Sequence, residues 1–186
     1  MIQTVINSFQ YFSLLGQILI AIVFLLYLGK IFLKNKGLDN LRKKISPYTY
    51  HLIFFLSLVA TLASLFLSEV AKFQPCILCW YQRIAMYPQP LLLYTAIVRN
   101  ERVLKPYLLV MNVVGALIAA YHYALQIAPK GVLLPCSKEL TGISVSCVEG
   151  YKFYMGYMSF PLMSLTVFAF IIILLLLDAK DPKRSK

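Results

Sequence analysis

The residues that could do chemistry in this chain are sulfurs. Cys76 and Cys79 form a Cys-x-x-Cys pair directly after Pro75, where a long apolar segment begins, which puts two thiols on the first turn of a membrane-spanning helix. Thiols placed there are reactive, because the unpaired backbone N–H groups and the positive end of the helix dipole favour negative charge. Thiolate is the form that attacks disulfides and donates electrons. Arg83 follows Cys79 by four residues, so two sulfurs and a cation lie along one helix face. A second pair, Cys136 and Cys147, lies in a polar stretch with Gly131, Gly142 and Gly150 around it and no helical or strand period. That pair reads either as a structural staple, the commonest use of two extracytoplasmic cysteines, or as an exchange pair that carries electrons to Cys76 and Cys79. A mobile setting favours exchange, since thiol–disulfide transfer needs sulfurs that can approach in line. Zinc binding ranks well below redox chemistry, because the spacing of the second pair exceeds the roughly two to four intervening residues of a zinc half-site.

The elements that must hold these sulfurs are membrane helices. A content of 60% hydrophobic and 13% charged residues is too apolar for an ordinary soluble domain and reads as an all-α, polytopic membrane helix bundle. Five segments approach the ~20 apolar residues that a crossing requires: Tyr11–Leu33, Tyr48–Ser68, Cys76–Val98, Tyr107–Ala128 and Phe160–Leu177. The net charge of +11 could suggest nucleic acid, but the basic residues cluster between the apolar runs, so no nucleic-acid partner is expected. The clusters are Lys30–Lys44, Arg99–Lys105 and Lys180–Lys186, and an odd number of crossings puts all three on one side, the cytoplasm by the positive-inside rule. The N-terminus, the Glu69–Pro75 loop and the Pro129–Ser159 loop then face outward, and all four cysteines fall on or beside that outer side. Tyr151–Met158, rich in aromatics, suits a segment lying at the outer membrane surface.

Individual spans carry further expectations. Met1–Gln10 has no positive charge, so the first segment reads as a retained span, a lipid-facing anchor with no reactive group beyond Gln17 and Tyr27. Pro88 and Pro90 predict a kink near Tyr87–Pro90. Arg83 lies about 12 Å along its helix from Pro75, and a cation at that depth either snorkels outward or faces a site. His122 lies roughly 10 Å below the outer end of the fourth span, and the short Arg99–Pro106 loop makes the third and fourth spans neighbours. A lone His on an apolar helix is most often a satisfied interior residue. Beneath a thiol pair, however, an Arg and a His at matched depth could hydrogen-bond the two carbonyls of a quinone entering from the lipid. Gln126 is a weaker candidate one turn outward, and His51 reads as interfacial. No strand–helix alternation supports a thioredoxin-like fold, and no phosphate loop, serine triad or carboxylate pair is present.

Cys76–Ile–Leu–Cys79–Trp–Tyr–Gln–Arg83, then Tyr121–His122 with Gln126, then Cys136 and Cys147, resembles the DsbB/BdbC family of bacterial disulfide-bond formation membrane proteins, with wording closer to the BdbC branch. Vitamin K epoxide reductase-like proteins place the loop pair before the membrane Cys-x-x-Cys, the opposite order. The resemblance implies a four-helix DsbB-like redox core over residues 48–178, with an extracytoplasmic loop over 129–159. Residues 1–47 would add an extra N-terminal transmembrane helix and basic loop, and residues 179–186 a basic cytoplasmic tail. It implies a quinone-dependent thiol oxidase of the bacterial cell membrane. A reduced DsbA/BdbD-like thioredoxin-fold partner would attack a Cys136–Cys147 disulfide at Cys136, and Cys147 would exchange with Cys76. Cys79 would then pass electrons to menaquinone or ubiquinone, with Arg83 and His122 as its binding residues. The alternative is a non-enzymatic membrane protein whose cysteines only staple its outer surface.

Overall fold

The computed structural model describes residues 2–33, 37–128, 147 and 157–178. Among these it is all-helical: α1 (Ile2–Leu33), α2 (Gly37–Ile45), α3 (Thr49–Leu65), α4 (Ile77–Met86), α5 (Pro88–Arg99), α6 (Lys105–Ile127) and α7 (Phe160–Leu177). A tight turn over Ser46–Tyr48 joins α2 to α3, and a π-helical turn over Phe66–Val70 extends α3, so helix runs unbroken from Lys43 to Val70. Three of these helical runs are long and apolar enough to cross a membrane: Lys43–Val70, Lys105–Ile127 and Phe160–Leu177.

The expected third span is divided. Pro88 and Pro90 have no N–H for the carbonyls of Ile84 and Met86, so the helical hydrogen bonding is interrupted at Tyr87, where the backbone itself stays helical (φ −63°, ψ −36°). Proline placement sets the other starts as well, with Pro106 and Pro161 each in the first turn of α6 and α7, where a missing N–H costs nothing. α5 stops at Asn100, which takes the left-handed conformation (φ 55°, ψ 35°) while Glu101 N–H closes back on Ala96 O at 2.9 Å.

α6 packs against both α7 and α4, α3 packs against α5, and α1 packs against α7. Leu93, Leu108, Ala119, Phe168, Ile171 and Leu175 are fully buried at the centre. Phe168 seats directly on Gly115, where a Cβ would stand 2.5 Å from its ring, so only glycine lets α6 and α7 approach this closely. Outward faces are apolar too: Phe55, Ile84, Leu91, Val98 and Leu117 are each about two-thirds or more exposed. In water such a surface would aggregate, and a lipid bilayer is the solvent that suits it.

Two polar clamps tie the bundle together. Gln89 and Asn112, both fully buried, exchange amide hydrogen bonds (3.3 and 3.1 Å) between α5 and α6, and each also donates to a carbonyl one turn back on its own helix. At the end of the bundle opposite Cys76, the buried Asp178 carboxylate pairs with Arg102 at 2.5 Å and accepts from Ser46 Oγ at 3.0 Å. Arg102 also donates to Ser46 O at 3.0 Å and lies over the Tyr50 ring, while Lys105 Nζ donates to Asp178 O at 2.8 Å. Ser46, Arg102, Lys105 and Asp178 therefore share one end of the bundle. His51 is exposed at the start of α3.

Candidate functional site

Pro75 halts regular structure before α4, and Cys76 takes the N-cap position with extended backbone (φ −75°, ψ 174°), its carbonyl accepting the first helical bond from Trp80 N–H at 3.2 Å. Cys79 follows within the first turn, its Sγ 3.4 Å from Cys76 Sγ. Both sulfurs thus sit where helix N–H groups lack intrahelical acceptors. The approach to α4 is fixed by Phe73, whose ring packs edge-on against Phe160 at the start of α7, 5.6 Å between centroids.

α6 supplies His122, which is 2% exposed. Its Nε2 lies 3.6 Å from Cys76 Sγ and its Nδ1 lies 3.1 Å from Gln82 Nε2. Ser164 Oγ on α7 donates to Gln82 Oε1, so a polar chain runs Ser164, Gln82, His122, Cys76 across three helices. The Gln82 amide presents its N–H to Nδ1, which leaves the ring proton on Nε2, facing the sulfur. Cys147 is buried beside Cys76, in one apolar cluster with Leu78 and Leu125. Cys136 lies outside the described residues, as does most of the expected surface segment Tyr151–Met158.

Arg83 lies on the same helix as the thiols but reaches toward α3, where Nη2 donates to Ser64 O at 3.2 Å. Its guanidinium lies over the rings of Trp80 (5.2 Å) and Tyr87 (6.0 Å). Cys79, Arg83, Gln126 and His122 line a mostly apolar cavity of about 520 Å³ that is walled by α1, α3, α4, α6 and α7. That volume is typical of a small-molecule site. Two buried polar atoms of cavity-lining residues have no partner among the described residues, Ser13 Oγ on α1 and Gln126 Oε1 on α6. The Ser13 hydroxyl can donate to a carbonyl of a flat ring, and Gln126 Oε1 can accept from an O–H of its reduced form. The donor atoms of Cys76, Cys79 and His122 also lie within 4.8 Å of one another, close enough to share a metal ion.

The structure brings Cys76, Cys79, His122 and Cys147 together with Arg83 at one cavity, and three further residues there had no role in the sequence reading. Gln82 stood in the quoted motif but was given no role, although it follows Cys79 by one helical turn. Ser164 carries no sequence signal, since its partner is 82 residues away. Ser13 lies on the span read as a lipid-facing anchor, and that reading is corrected here: α1 packs on α7 and forms part of the cavity wall.

The family model described as "Disulfide bond formation protein DsbB" matches residues 46–177. The chain is similar to the SPbeta prophage-derived disulfide bond formation protein B of Bacillus subtilis (strain 168), 36% identical over 139 residues, covering 73% of this chain and 90% of that protein. It is 39% identical over 122 residues to disulfide bond formation protein C of the same organism, covering 65% of this chain and 85% of the relative. A probable disulfide formation protein C 1 of Bacillus cereus (strain ATCC 10987 / NRS 248) is 38% identical over 127 residues, 68% of this chain and 88% of the relative. No solved structure matches. The family match begins at residue 46, so α1 and α2 lie outside it.

Proposed function

This chain belongs to the DsbB family of disulfide bond formation proteins, and from that premise we propose that it is a membrane thiol oxidase that reoxidises an extracytoplasmic DsbA/BdbD-like thioredoxin-fold protein and delivers the electrons to a membrane quinone. The family and the apolar helices establish a membrane protein with a role in disulfide formation. The observation that carries the finer reading is the meeting of Cys76, Cys79, His122 and the distant Cys147 at one rim of an apolar cavity.

In this mechanism the reduced partner attacks Cys136 of a Cys136–Cys147 disulfide, forming a mixed disulfide and freeing Cys147 as thiolate. Cys147 attacks Cys76 of a Cys76–Cys79 disulfide, which frees Cys79 as thiolate. The partner's second thiol resolves the mixed disulfide, leaving oxidised, and Cys136 displaces Cys76 from Cys147. Two electrons thereby reach the Cys76–Cys79 pair. His122 Nε2–H faces the Cys76 sulfur and donates a hydrogen bond that stabilises the thiolate as Cys76 leaves. Both ring nitrogens already have protein partners, so its primary role is at the thiol, with a cavity contact as its second. Arg83 places positive charge beside Cys79 and the cavity, where charge-assisted contacts are strong because water is excluded. A quinone, when bound, supplies a two-electron, two-proton acceptor, and Arg83, His122 and Gln126 are the residues that would hold it. The cysteine end faces out of the cell and the Arg102–Asp178 end faces the cytoplasm, in accord with the basic loops. Residues 48–178 form the redox core, and residues 1–47 are an addition to it.

The test is the purified protein mixed with a reduced thioredoxin-fold partner and a quinone, followed in the ultraviolet. Quinone is expected to disappear in step with partner thiols, and Cys79→Ser to stop it. Four cysteines that stay in two inert disulfides while no quinone is reduced would overturn the proposal in favour of a structural staple.

A further inference from the structure

We propose that α1, the helix outside the family match, is part of the quinone-binding wall, and that Ser13 hydrogen-bonds the quinone headgroup. The inference rests on the quinone reading above and adds to it a binding residue from the chain's own N-terminal helix.

Three observations carry it. Ser13 is 8% exposed, lines the cavity that also contains Cys79 and Arg83, and its Oγ has no partner among the described residues. On a helix facing only lipid, that position would suit an apolar side chain, as at Ile22 and Leu25 on the exposed side of α1. Second, α1 is held against α7 by contacts specific enough to fix its rotation. Gln17 Nε2 donates to Thr166 Oγ1 at 3.3 Å, and Gly16 lies so close to α7 that a Cβ there would stand 3.0 Å from Thr166 Cγ2. Gln17 is one turn beyond Ser13, so the contacts that seat the helix also set the direction of the Ser13 side chain. Third, the chemistry suits both redox states of the ligand. A hydroxyl donates to a quinone carbonyl and accepts from the O–H of the reduced ring, so one residue serves before and after reduction. Arg83 can only donate, and Gln126 Oε1 can only accept. In the overall reaction the Cys76–Cys79 dithiol is oxidised to the disulfide and the quinone takes up both electrons and both protons as the hydroquinone, and Ser13 neither gains nor loses a proton.

The test uses the full-length oxidised protein, in which no electrons can flow, so that binding is read apart from turnover. Trp80 is the single tryptophan and stacks on Arg83, so a short-chain ubiquinone analogue entering beside Arg83 quenches its emission. Ser13→Ala is expected to raise the dissociation constant about three- to tenfold, the loss of one neutral hydrogen bond. KM for the quinone should rise in parallel while kcat stays within about twofold. Ser13→Thr is expected to restore binding, and Ser13→Met, which fills the cavity, to weaken it further. Disulfide exchange with reduced partner in the absence of quinone should be unchanged in all three. If wild type binds and reduces quinone but Ser13→Ala and Ser13→Met leave the dissociation constant and KM alone, the role of α1 is refuted and the oxidase reading stands. If wild type exchanges disulfides but neither binds nor reduces quinone, the quinone reading fails, and the inference goes with it.

Discussion

At the Asp178 end of the bundle, a carboxylate only 3% exposed is surrounded by an arginine, a lysine and a serine hydroxyl, and Arg102 itself is shared among Asp178, Ser46 and the Tyr50 ring. At the cysteine end, two sulfurs stand 3.4 Å apart without a disulfide, while Ser13 Oγ and Gln126 Oε1 lie buried with no partner among the described residues. A buried polar atom left unpaired costs about 1–3 kcal/mol, and these two line the cavity, whereas Thr61 Oγ1 and Ser159 Oγ, also unpaired among the described residues, do not. The difference teaches where the work is done. One end is finished by the fold alone, and the other is finished by whatever enters the cavity.

The comparison can be broken from either side. Cys79→Ser should have the largest effect, abolishing quinone reduction while the thermal midpoint of unfolding stays near wild type. A variant that loses its fold instead would make the cysteine end structural. Arg102→Ala should do the reverse, lowering stability by roughly 3–5 kcal/mol because it strands a buried carboxylate. Turnover per folded molecule is expected to hold, measured after correcting for the active fraction; a selective loss of turnover would show that the ends are not separable. His122→Ala is expected to slow disulfide exchange through Cys76 by about 100-fold, the contribution of one positioned donor to a developing anion. Stopped-flow thiol release checks it, and an unchanged rate would remove His122 from the chemistry. Gln82→Leu should have the smallest effect, about tenfold on the same step, acting through the imidazole it orients. Its signature is the ¹⁵N spectrum of His122, which should move from one tautomer toward a mixture, a change that simple loosening of α4 against α6 would not produce.

Much of this was legible in the sequence, and the reasons differ by residue. Three of the five expected spans followed from apolar length, and the interruption at Tyr87 from two prolines, because both are local properties. Cys76, Cys79, Arg83 and His122 declared themselves by rarity, since ionisable and reactive groups in apolar helices need a reason to be there. Gln82 and Ser164 did not, because an amide or hydroxyl acquires meaning only from a partner on another helix. α1 misled for the same reason: a serine on an otherwise apolar face looks incidental until α7 fixes which way it points. Asp178 had a signal that went unread. With only seven acidic residues in the chain, one at the end of the last span deserved a partner, and the basic clusters on the expected side, Arg102 and Lys105 among them, were the place to look.

The Asp178 clamp also has a consequence for how the protein is made. Its cations are Arg102 in the loop before α6 and Lys105 at the first position of α6, and its anion is the residue after α7, so the chain must grow by a further 76 residues after Arg102 before the pair can form. At about 5–20 residues per second of synthesis, that is an interval of roughly 4–15 s. During it α6 is already inserting while Arg102 and Lys105 have no Asp178 to meet. Closure of the bundle is therefore the last event of biogenesis, timed by the ribosome, and a chain cut short before residue 178 would leave the membrane holding an unlatched intermediate.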